Sequence, residues 1–125
     1  MAVTNGAGHL ASLRALVQEA AARLHPGWVW ADRLSAALSL ENGSEQLPVA
    51  FDDVRCVRPA RPGRAVVTDA DVVAGYVASV GDVYGRDLQD DWDRLVDAVR
   101  SRAARIIEAE GSLTVEGDVG AFLCT

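Results

Sequence analysis

From Leu88 to Glu110 the apolar residues Leu88, Trp92, Leu95, Val96, Val99, Ala103, Ile106 and Ile107 recur at helical spacing, which predicts one long amphipathic helix with a single buried stripe. A helix of that kind needs a second layer to pack on. Asp87, Asp90, Asp91 and Asp93 crowd its start while Arg100, Arg102 and Arg105 lie toward its end, an arrangement that complements the helix dipole. Gly111 is placed to stop it.

The rest of the chain supplies that layer in short pieces. Leu10, Leu13, Leu16, Val17, Ala20, Ala21 and Leu24 predict a helix over residues 8 to 24 that ends at Pro26-Gly27, and Trp28, Trp30 and Leu34 follow in a less regular segment that the two tryptophans anchor on the core. After Ser39 to Gly43 a helical stretch begins in which Leu47, Ala50 and Phe51 face inward. Pro48 must shorten or kink it, because an interior proline removes a backbone donor and clashes with the preceding turn at about 3 kcal/mol.

Val54 to Val57 and Ala65 to Thr68 resemble two strands separated by the turn Pro59-Ala60-Arg61-Pro62-Gly63. Thr68 or Asp69 caps the next helix, whose stripe is Val72, Val73, Tyr76, Val77 and Val80, with Gly81 at its end. Leu113 to Cys124 predicts a terminal antiparallel hairpin turning at Gly117-Asp118. Pairing Glu116 with Val119 sets Leu113 opposite Phe122 and Val115 opposite Gly120, which gives one apolar face.

Composition excludes several functions. With 125 residues the chain is one domain's worth, and its formal charge of -6 argues against a nucleic-acid surface, which needs a basic patch to displace counterions. Arg55, Arg58, Arg61 and Arg64 lie among prolines without aromatic partners, so they form a solvated loop rather than a binding stripe. All 12 basic residues are arginine, a mark of a GC-rich genome. No apolar run is long enough for a membrane span and no leader pattern follows Met1, so the expected setting is cytoplasmic.

Cys56 and Cys124 form neither a disulfide framework nor a metal-ligand spacing, and His9 and His25 are too isolated for a zinc site, so no metal is expected. The carboxylate pairs Asp52-Asp53 and Asp90-Asp91 are sequence neighbours pointing different ways, which makes neither an acid/base dyad. No serine sits in a GxSxG elbow, and hydrolase chemistry is not expected.

The element order, together with Thr4-Asn5-Gly6, Gly8-His9-Leu10, Leu40-Glu41-Asn42-Gly43-Ser44-Glu45-Gln46-Leu47, Phe51-Asp52-Asp53-Val54, Val66-Val67-Thr68-Asp69 and Phe122-Leu123-Cys124, resembles the C-terminal half of class I S-adenosylmethionine-dependent methyltransferases of GC-rich bacteria. The resemblance implies an α/β fold: the distal part of a Rossmann-like sheet, a helical substrate-cap segment and a C-terminal antiparallel hairpin. Val3 to His9 would hold the family's fifth strand and the turn into its helix. Residues 1–125 then form a single partial domain, with distal sheet and helices at 1–68, a cap-like segment at 69–110 and the hairpin at 111–125.

In that family the glycine-rich loop and the ribose-binding carboxylate precede these elements, so they fall upstream of Met1. No residue inherits either role, and S-adenosylmethionine, the cofactor implied by the resemblance, is not expected to bind this chain alone. Gly6-Ala7-Gly8 lacks the third glycine and the full preceding strand of a cofactor loop.

What remains is a substrate side. Asn5 and His9 stand at the end of an expected parallel strand, the edge where open α/β sheets bind ligands, and histidine moves protons near neutral pH. Tyr76 is a third candidate for contact with a small-molecule substrate, set against a place in the core. Glu41-Asn42 suits a helix cap better than catalysis, and no catalytic residue is assigned. Two functions follow: a methyltransferase-like portion, inactive in isolation, or a non-catalytic α/β binding or dimerisation module. The first expects the missing N-terminal half as partner, and both leave a sheet edge that a homodimer could cover through residues 1 to 24.

Overall fold

The computed structural model describes residues 1–31 and 36–125; Leu34 lies outside them. The elements run β1 (Ala2–Asn5), α1 (Ala11–Leu24), α2 (Gly43–Gln46), a 3-10 turn (Leu47–Val49), β2 (Val54–Val57), β3 (Gly63–Val67), α3 (Ala70–Ser79), α4 (Gly81–Tyr84), α5 (Asp91–Glu110), β4 (Leu113–Gly117) and β5 (Val119–Cys124). The architecture is mixed α/β, with small antiparallel sheets and helices. Two compact units share the chain: a sheet unit of Met1–Ala11, Asp32–Ala65 and Glu116–Thr125, and a helical unit of Ser12–Ala31 and Val66–Val115.

In the sheet unit the strand order is β1-β5-β2 and both pairings are antiparallel. The register sets Ala2 beside Phe122 and Cys56 beside the same residue, so one face gathers Ala2, Thr4, Phe122 and Cys56 around a fully buried phenyl ring. The opposite face carries Val3, Ala121 and Val57 in a row. Val3 and Val57 are exposed there.

The expected terminal hairpin does not form. β5 pairs with β1 and β2, whereas β4 pairs with β3 in a separate two-stranded sheet. The carbonyls that a Gly117-Asp118 hairpin would use are turned elsewhere: Glu116 O accepts from Leu10 N–H at 2.9 Å and Asp118 O from Gly6 N–H at 2.9 Å. The strands therefore part at their shared turn. Leu113, Val115 and Phe122 are buried as the alternation requires, against other neighbours. β1 has β5 as its described neighbour, and the two run antiparallel.

Pro48 has the expected effect, ending α2 after one turn and starting the 3-10 turn. Ala50 and Phe51 are exposed rather than inward, because that break rotates them off the buried side.

In the helical unit α5 spans 20 residues and buries Trp92, Leu95, Val96, Val99 and Ala103, with Ile106 and Ile107 half-buried. Leu88 is buried from the turn before it. Gly111 closes the helix with φ of 83° and its N–H on Ile107 O at 2.7 Å, a left-handed cap that glycine adopts without strain. The arginines stop short of the last turn and are drawn sideways instead: Arg100 to Asp71 and Asp97, Arg102 to Glu19.

Asp69 caps α3 by accepting from Asp71 N–H at 2.9 Å. The face that α3 lays on α5 is Val73, Ala74 and Val77, while Val72 and Tyr76 are turned outward. Val72 and Val73 are sequence neighbours and so lie on different sides of the helix, and the i, i+1, i+4 set Val73, Ala74 and Val77 is the one that is buried.

Trp28 and Trp30 anchor their segment as expected. Gln18 donates to Trp28 O at 2.6 Å and accepts from Trp30 N–H at 3.0 Å, Trp28 meets Trp92 edge-on at 6.3 Å, and Trp30 stacks on Tyr84 at 4.4 Å.

Candidate functional site

β1 ends at Asn5 and the chain turns through Gly6-Ala7-Gly8-His9 before α1 begins. This turn wraps around the carboxylate of Asp118. Gly8 N–H donates to Asp118 Oδ2 at 3.2 Å, and Asp118 N–H donates to His9 Nδ1 at 3.3 Å. A side chain at Gly6 would collide with that carboxylate, so glycine is required by close approach. Leu10 completes the turn at φ of 55°, a left-handed conformation costing about 1 to 2 kcal/mol that the Glu116 carbonyl holds in place.

A second carboxylate closes the other side. Ala7 N–H donates to Glu41 Oε2 at 3.1 Å. Arg58 then bridges the two acids, with Nη2 3.1 Å from Glu41 Oε1 and Nη1 3.6 Å from Asp118 Oδ1. Burial pushes the Glu41 carboxyl up, but the hydrogen bonds from Ala7 and Arg58 outweigh it and hold it below the ordinary carboxylate range. Its bond to Glu41, with Asp118 nearby, raises Arg58 further above its usual value. The charges of the site are mutually satisfied.

His9 is half-buried and accepts at Nδ1, which places the ring proton of the neutral form at Nε2. Among the described residues Nε2 has no partner, so it can donate to a ligand at the mouth of the turn. Asn5 is exposed, and its backbone carbonyl accepts from Leu40 N–H at 3.1 Å. Asn5 and His9 therefore flank one turn of the sheet unit. Tyr76 belongs to the helical unit, partly exposed on α3.

Glu41 does not cap a helix. It spans 34 residues of sequence to reach the turn, and Asn42 instead accepts from Ser39 N–H at 2.7 Å, making no side-chain cap to α2. Glu41, Arg58 and Asp118 carry no signal in the sequence beyond their residue types. No group of three or more His, Cys, Asp or Glu able to hold a metal occurs among the described residues, and none of the described helices is long and apolar enough to cross a membrane.

The residues present do not fit S-adenosylmethionine. The glycine turn, which would have to admit a ligand to its N–H groups, is filled by Asp118, and the nearby carboxylates are held by Arg58 and backbone donors. Comparison with family models, with curated proteins and with solved structures finds no match.

Proposed function

We propose that this chain is the substrate-side portion of a class I S-adenosylmethionine-dependent methyltransferase-like fold acting on a small molecule. One observation supports the reading: the last strand, β5, lies antiparallel beside β1, which agrees with an antiparallel edge next to the family's fifth strand although the terminal hairpin itself is absent. Asn5 closes β1 and His9 follows it, at the carboxyl end of the strand where such sheets receive ligands. His9 Nε2–H donates to an acceptor on the substrate, and Asn5 adds a neutral polar contact.

The network of Asp118, Glu41 and Arg58 fixes the turn that presents both. On this reading the cofactor-binding loop and carboxylate come from another segment, and the setting is cytoplasmic. The DNA preceding the Met1 codon tests the reading. An in-frame strand, glycine-rich loop and helix are expected; an immediate in-frame stop, with no separate chain that joins the sheet, would contradict it.

The second reading is a non-catalytic binding or dimerisation module. It is favoured by β1, which has a described neighbour on one side only, and by a glycine turn that its own carboxylate already fills.

A further inference from the structure

Independently of that reading, we propose that the groove between α1 and α5 binds a small organic phosphate monoester. The hollow has a volume of about 630 Å3, within the range of small-ligand clefts, about 300 to 1,000 Å3. Both walls belong to the helical unit, so its polar groups are fixed on regular helices. They carry Arg23 from α1, Arg102 and Arg105 from α5, and one carboxylate, Glu19.

Glu19 pairs with Arg102. Among the described residues neither Arg23 nor Arg105 has a carboxylate in ion-pair range. Three arginines against one glutamate leave a surplus of two positive charges, concentrated on a chain whose net charge is -6.

Two free guanidinium groups match a phosphate monoester, which carries about -1.5 to -2 near neutral pH. Their planar forks donate paired N–H bonds to its oxygens. Between the walls Ala20, Leu24 and Ala98 supply an apolar floor, which suits the organic part of the ester and gives inorganic phosphate nothing further to touch. The acidity of the remaining surface opposes a long polyanion more than a small one, because screening limits the repulsion to nearby charges.

Calorimetric titration of the full chain with phenyl phosphate tests the site, with inorganic phosphate carrying the anion alone and benzyl alcohol the ring alone. Phenyl phosphate is expected to bind saturably with Kd below about 1 mM, at least about tenfold tighter than either fragment, and more weakly as salt is raised. Arg23→Gln with Arg105→Gln should weaken it at least about tenfold at unchanged melting temperature, since both side chains are exposed; Arg105→Gln alone gives the same direction should the pair fold poorly. Glu19→Gln should tighten binding by releasing Arg102. No saturable heat, equal affinity for inorganic phosphate, or affinity unmoved by the arginine changes would each overturn the proposal.

Discussion

Asp118 is where the turn between β1 and α1 is decided. Its carboxylate accepts from Gly8 and faces Arg58, so Asp118→Ala strands a backbone donor and leaves Arg58 with Glu41 alone. A loss of about 0.5 to 1.5 kcal/mol is expected in urea unfolding, since water can reach the exposed Gly8 N–H, while Asp52→Ala, on an exposed residue without such a bond, should stay below that. Equal effects would mean that the carboxylate does not organise the turn. Glu41 adds a pH dependence with a definite sign. Its folded pKa lies below the unfolded value, so its contribution is fully present above the ordinary carboxylate range and is lost as pH falls through the lowered value. The stability difference between the protein and Glu41→Gln should therefore be flat above about pH 6 and shrink below about pH 4; a difference that grew on acidification would reverse the assignment. None of this was legible beforehand, because His9 and Asp118 stand 109 residues apart and nothing local marks them as neighbours. The Gly6-Ala7-Gly8 turn was visible as a turn, and its filling was not.

Elements were legible where one periodicity ruled them. α5 follows its stripe because a run of 20 residues presents one apolar face in a single register. Trp92→Ala or Leu95→Ala should cost about 2 to 5 kcal/mol, whereas Arg100→Ala, on exposed ion pairs, should stay within about 0.5 kcal/mol. Half-buried Ile106 belongs between them. Thermal or urea unfolding measures all four, and a uniform response would mean the stripe is wrong. Legibility failed where valine is everywhere: in α3 both Val72 and Val73 fit an apolar face, and only the packing on α5 selects Val73. It failed again at β4 and β5, whose alternation foretold burial without naming partners. Strand pairing is non-local, and two apolar strands joined by Gly-Asp pair with each other only if no better edge competes. Here β1 and β2 took β5 from both sides.

At the scale of the whole molecule the sheet unit holds the open question. β1 reads Ala-Val-Thr-Asn, with no proline or charge to discourage another strand, and Val3 is 63% exposed beside it. Self-association through this edge is expected at tens of micromolar, most simply as a two-fold pair. Sedimentation should show it, and Val3→Lys should return the monomer. A monomer at those concentrations would remove the support for an edge awaiting a partner. The central claim, that the chain carries the substrate side and that its glycine turn serves Asp118 rather than a cofactor, is tested most directly by calorimetric titration of the chain with S-adenosylmethionine. No saturable heat is expected. A dissociation constant near 1 μM, about -8 kcal/mol, would contradict it.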